Sequence, residues 1–89
     1  MLRLDSSARF KRDLRLCSKR GLDLDLLDEV VATLRIPQEL PVKNRDHNLV
    51  GDYAGCRECH VSPDWLLVYK VIGDTLYLDR TGTHADLFG

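Results

Sequence analysis

The stretch "GCRECHVSPDWLLVYKVIGDTLYLDRTGTH", residues 55–84, decides the fold, because it supports two incompatible readings. Cys56, Cys59 and His60 have the C-x-x-C-H spacing that attaches c-type haem or begins a zinc site. The same residues also open a run of strands. "CRECHV" alternates, "SP" gives a turn, "WLLVYKVI" is an apolar run suited to a central strand, Gly73-Asp74 fits a two-residue hairpin turn, and "TLYLDRTGTH" alternates again. This pattern predicts a three-stranded antiparallel meander. Successive side chains of a strand point to opposite faces, so Cys56 and Cys59, three apart, cannot reach one metal or one haem edge. Haem often takes a methionine as second axial ligand, and the one methionine is Met1; zinc needs a second close ligand pair, and none follows. Cys17, Cys56 and Cys59 therefore read as small, packed, reduced hydrophobes, and neither a metal nor another cofactor is expected.

The segment before the strands reads as helical. "LRLD" at residues 2–5 could form a short strand, and Ser6 or Ser7 can cap a helix in which Phe10, Leu14 and Cys17 share one face. Gly21 ends it, Asp23 or Asp25 caps a second helix with a buried stripe of Leu27, Val30, Val31 and Leu34, and Pro37 stops that helix at Ile36. Residues 37–52, with two prolines and no sustained period, form a long loop of the kind that usually carries function. The expected class is thus α+β: a helical hairpin packed on a small twisted antiparallel sheet.

At 89 residues and 44% apolar, the chain can bury one core, and a single domain over residues 1–89 is expected. No apolar run reaches the roughly 18 residues of a membrane span, and no secretory signal opens the chain, so a cytoplasmic protein is expected. The net charge of -1 hides an asymmetry: residues 1–21 hold seven of the 13 basic residues against two acids. Such a basic arm is either a solvated helix face or a handle for RNA phosphates or an acidic partner.

Strand register brings a candidate site together. With tight turns at Ser62-Pro63 and Gly73-Asp74, His60 falls opposite Trp65 and Trp65 opposite Gly82, so His60, Arg80 and His84 share one face, with Asp64 at its rim. Gly82 then leaves room for a ligand backbone. Two imidazoles, a guanidinium and a carboxylate suit metal-free ribonuclease chemistry. Attack by a ribose 2′-hydroxyl needs a proton acceptor, a proton donor at the leaving 5′-oxygen and a cation on the phosphate. Histidine, with a reference pKa of about 6.5, can donate or accept near neutrality.

The elements "DHNLVGDYAGCRECHVSPDWLLVYK" and "DRTGTHADLFG", between residues 46 and 89, closely resemble the YafQ branch of the RelE/ParE toxin superfamily. That resemblance implies a ribosome-dependent mRNA endonuclease, the toxin of a type II toxin-antitoxin system. It implies a site of His47, His60, Asp64, Arg80, His84 and Phe88. His84 would be the general acid, with the base open among Asp64, His60 and His47. Arg80 would stabilise the transition state, and Phe88 would stack on a base or hold the C-terminal segment. The partners implied are the ribosome, its mRNA and a cognate antitoxin, a ribbon-helix-helix protein of the DinJ/RelB kind, docking on the apolar or basic faces of residues 6–36 in a hetero-oligomer. Two departures are Asn48, where a proline is frequent, and the low net charge; neither Asn48 nor Tyr53 is expected to touch the chemistry directly. The competing reading is a non-enzymatic ParE-like toxin acting on a protein such as DNA gyrase, and the histidine set argues against it.

Overall fold

A computed structural model describes residues 1–89. Its strands are β1 (Arg3–Ser6), β2 (His47–Asn48), β3 (Arg57–Ser62), β4 (Trp65–Ile72) and β5 (Thr75–Gly82); its helices are α1 (Ala8–Lys19), α2 (Leu24–Arg35) and α3 (His84–Phe88). They form one five-stranded sheet in the order β1-β5-β4-β3-β2. The antiparallel meander β3-β4-β5 is its centre, as the alternation requires, while β1 adds a parallel edge to β5.

Local chemistry sets the helix ends. Ser7 caps α1, its Oγ accepting from Phe10 N at 2.9 Å, and the same hydroxyl donates to Asp79 O at 2.7 Å, which ties the start of α1 to β5. Gly21 (φ 77°) takes the left-handed turn that separates α1 from α2. Asp23 caps α2, accepting from Asp25 N at 3.0 Å. The stripes of both helices close on one face of the sheet. There Phe10, Cys17, Leu27, Val30, Val31 and Leu34 pack against Cys59, Trp65, Leu67, Tyr69, Leu76 and Leu78. The other face carries a smaller apolar group, Cys56, Leu66, Val68 and Leu87, flanked by Leu49 and Tyr53. Cys56 and Cys59 thus lie on opposite sides of the sheet, and burial pushes the Cys59 thiol up to about 12, so both are packing residues.

The register corrects the sequence reading in two places that offset each other. The turn between β3 and β4 centres on Pro63-Asp64, and a bulge between His60 and Ser62 places His60 opposite Leu66, not Trp65. A second bulge, between Val68 and Tyr69 of β4, leaves Asp79 without a partner and places Gly82 opposite Leu66. His60 and Gly82 therefore stay in one row across the sheet, with Leu66 between them. The physical cause is Trp65: on the helix side it is 2% exposed, and its Nε1 donates to Thr81 Oγ1 at 2.8 Å, a partner the opposite face does not supply. Bulges are the local means of changing which residues face each side.

The long loop is fastened to the sheet. Within it are two single-turn 3-10 segments, Val42–Asn44 and Gly51–Tyr53, and β2 pairs with β3. Asn44 Nδ2 donates to His60 O at 2.7 Å, and Asp46 accepts from Arg57 Nε at 3.2 Å and from the Tyr69 hydroxyl at 2.7 Å.

Candidate active site

The site lies on the sheet face turned away from α2, where β3, the β3-β4 turn, the end of β5 and the start of α3 meet. Alternation along β3 puts Glu58 and His60 on the same side. His84 is not on a strand, as "TLYLDRTGTH" had suggested: β5 ends at Gly82 and His84 is the first residue of α3. A capping box makes that break. Thr83 Oγ1 accepts from Asp86 N at 3.1 Å while Asp86 Oδ2 accepts from Thr83 N at 2.9 Å. Gly82, expected to leave space for a ligand, has a different reason to be glycine: at φ 154° an added Cβ would stand 2.8 Å from Asp86 Oδ2.

The two histidines meet. Their ring centroids are 5.7 Å apart, and each is held through Nδ1. His84 Nδ1 lies 2.8 Å from Asp64 Oδ1, and the same oxygen accepts His84 N at 3.2 Å; His60 Nδ1 lies 3.3 Å from Pro63 O. A carbonyl can only accept, and so can an ionised carboxylate, so Nδ1 carries the proton on both rings and Nε2 is left for chemistry. Hydrogen bonds from His84 hold the Asp64 carboxyl below its usual range, which keeps it in that ionised, accepting state. Asp64 is thereby committed to orienting His84.

Arg80 is built into the site from behind. Its Nε and Nη2 donate to Asp13 of α1 at 2.7 and 3.1 Å, and its Nη1 donates to the Tyr53 hydroxyl at 3.3 Å. The hydrogen bond to Asp13 is the main reason its pKa is raised, so the charge is permanent. Of the guanidinium's five N–H donors, two remain for a phosphate. Tyr53 also meets the Phe88 ring edge-on, with centroids 5.6 Å apart, and Phe88 is half-exposed at the site's edge. Tyr53, expected not to touch the chemistry directly, bridges Arg80 and Phe88. Asn48 lies as expected, its Oδ1 accepting from Arg57 Nη1 at 2.7 Å.

His47, delivered by β2, donates through Nδ1 to Arg45 O at 2.7 Å and turns Nε2 toward Glu58 Oε1, 3.4 Å away. Glu58 itself is a residue the sequence reading missed. It is 4% exposed, and its Oε2 is buried without a hydrogen-bond partner. One Glu58 oxygen and one ring nitrogen each of His60 and His84 lie within 4.8 Å of one another, a donor set that could hold a metal ion. The signal in the sequence was a lone acid two positions before His60, on the same face of the strand. Asp13, a single acid in the basic helix, was equally visible and equally missed.

This arrangement has counterparts. A family model described as the bacterial toxin of a type II toxin-antitoxin system, YafQ, matches residues 2–89. The chain belongs to the YafQ toxin family. The mRNA interferase toxin YafQ of Escherichia coli K12 is 41% identical over 88 residues, covering 97% of this chain and 95% of that one. A copper-bound mutant toxin from Helicobacter pylori superposes with a TM-score of 0.94 at 41% identity, over 99% of this chain and 100% of that one. The E. coli DinJ-YafQ toxin-antitoxin complex gives a TM-score of 0.90 at 38% identity over 100% of both chains. The two helices and five-stranded sheet described above are thus the architecture of YafQ toxins.

Proposed function

We propose that the chain is the toxin of a type II toxin-antitoxin pair, an endoribonuclease that cuts mRNA on the translating ribosome. The observation that carries this reading is the pair of imidazoles 5.7 Å apart, each pinned through Nδ1. His60 Nε2 takes the proton of the 2′-hydroxyl as its oxygen attacks phosphorus. The bond from phosphorus to the 5′-oxygen breaks, and that oxygen receives the Nε2 proton of His84, which enters the reaction as the imidazolium with its Nδ1–H still held by Asp64. The products are a 2′,3′-cyclic phosphate and a 5′-hydroxyl end. Arg80 binds the phosphate oxygens with its two remaining N–H groups as charge builds. Asp64 orients His84, Glu58 supplies a buried counter-charge beside His47, and Phe88 stacks on a base.

Glu58, His60 and His84 would hold a divalent transition metal, which when bound acts as a Lewis acid on a phosphate oxygen. The acid-base pathway needs both imidazoles with nitrogens free.

The charge pattern fits a ribosome-delivered substrate. Arg9, Lys11, Arg12, Arg15 and Lys19 of α1 are exposed and form no ion pair, and they suit ribosomal RNA phosphates. The whole activity resides in one domain over residues 1–89 and acts in the cytoplasm; no helix is long and apolar enough to cross a membrane. A cognate ribbon-helix-helix antitoxin holds it in a hetero-oligomer. Translation in vitro with and without the protein, with message ends mapped by primer extension, tests the proposal. Wild type is expected to cut translated messages and spare untranslated ones; equal cutting by His84→Ala overturns the mechanism.

A further inference from the structure

His60 has a second neighbourhood that the mechanism above does not use. Besides facing His84, it walls an open cleft of about 450 Å³, within the size range of small-ligand sites. Its lining joins cationic heads to apolar flanks: Lys43, Asn44 and Arg45 of the long loop on one side, His60, Val61, Ser62 and Pro63 of β3 and its turn on the other.

Three features mark this cleft as more than a gap between loop and sheet. First, its two cations are free. Every ion pair in the molecule involves other residues, and Asp46, the nearest acid in sequence, is committed to Arg57 and Tyr69. Second, the cationic wall is fastened to both loop-side histidines of the site. Asn44, itself 7% exposed, donates to His60 O at 2.7 Å, and Arg45 O accepts from His47 Nδ1 at 2.7 Å. Third, Arg45 sits at φ 50°, a left-handed conformation uncommon for a non-glycine residue, in the turn that presents its side chain to the cleft.

Resting on the ribonuclease reading, we infer that this cleft is the binding subsite for the nucleotide adjoining the scissile phosphodiester. Lys43 and Arg45 pair with that nucleotide's phosphate, the flat flanks of Pro63 and His60 cover its base or sugar, and Ser62 offers a hydroxyl to the ribose. Single-stranded RNA is held by this combination of a cationic wall and flat side chains. The long loop then has two tasks, delivering His47 and gripping the neighbouring nucleotide.

The test uses the full chain and uncleavable oligonucleotides carrying a 2′-deoxy sugar at the cut position. Binding of a dinucleotide is compared with that of two trinucleotides, extended on the 5′ or the 3′ side, by amide chemical-shift titration. One of the extensions is expected to tighten binding about tenfold and to shift Asn44, Arg45 and Ser62. In Lys43→Ala combined with Arg45→Asn, the gain disappears while dinucleotide binding is unchanged; asparagine tolerates the left-handed backbone. A gain that survives in this variant, or no gain in wild type, overturns the subsite. So does a response of these amides to a poly-glutamate peptide but to no RNA, which would assign the cleft to an acidic protein segment. On translated message the variant is expected to keep kcat and raise KM about tenfold. Failure of wild type to cut any message would refute the nuclease reading, and the length dependence of binding would still decide the subsite.

Discussion

The two faces of the sheet are built on different principles. Toward α1 and α2 every large side chain of β4 and β5 is apolar or capped by a neighbour, and Trp65, Leu67 and Leu76 are sealed from water. On the other face four apolar residues make a small platform, and around it stand Glu58, His60, Asp64 and His84, with Arg80 reaching in from β5. One face holds the fold, and the other is left polar enough to do acid-base chemistry. Helix α1 joins them. Its inner stripe fills the core, its Asp13 clamps Arg80, and Arg20 at its end grips Asp86 of α3, with Nη1 to Oδ2 at 2.6 Å. The lesson is that a domain this small positions a site on one side of its sheet by borrowing rigidity from the other.

The strongest way to break the comparison is to exchange its two halves in measurement. Trp65→Ala on the sealed face should cost about 4 kcal/mol in a denaturant titration, through the lost ring and its hydrogen bond to the Thr81 hydroxyl, which keeps Leu66 O as its acceptor. His84→Ala should lower cleavage of translated message roughly a thousandfold and leave the denaturation midpoint where it was. Were His84→Ala to unfold the protein, the separation of stability from chemistry would be wrong.

Asp13→Asn probes the junction; the asparagine oxygen can still accept from Thr81 N, so the effect on cleavage should run through Arg80. Cleavage should fall about tenfold to a hundredfold in kcat, reflecting a lost charge-assisted bond. In an Arg80→Ala background the same change should do nothing further, and an additive loss would show that Asp13 serves only the fold.

The smallest effect should come from Asp86→Asn. Its carboxyl is lowered to about 2 from an ordinary 3.8, chiefly by the hydrogen bond from Arg20 and then by the cap on Thr83 N. A carboxylate whose folded pKa is depressed stabilises the fold above its unfolded value and stops doing so as pH falls through the folded one. The wild type should therefore exceed the variant by about 1 kcal/mol at neutral pH, mostly from the cap because the exposed ion pair is screened, and the two should converge near pH 2. A gap that persists in acid would mean that a contact independent of the ionised carboxylate orders α3.

Much of this was legible in the chain itself. Ser7 and Asp23 cap helices within a few residues, Gly21 breaks them, and alternation in "CRECHV" puts the two cysteines on opposite faces, all of which follow from local backbone geometry. The convergence of His60 and His84 followed from strand order, and Asp64 beside them from the turn. Glu58 was overlooked because a single acid in a strand normally points to water, and its burial depends on the loop that covers it. Tyr53 was set aside because nothing in its own segment predicts a guanidinium as its neighbour.

What the sequence determined alone was the periodicity of each segment, since caps, breaks and alternation act over a few residues whatever lies beyond. What only the tertiary structure decided was the offset between segments and the grip of α1 on the site. Bulges beside His60 and at Asp79 move the register because Trp65 must fill the space under the helices, and Asp13 meets Arg80 across 67 positions because the two helices fold back over the sheet. Those outcomes depend on competing for shared volume and shared hydrogen-bond donors, and that competition begins once the chain has closed on itself.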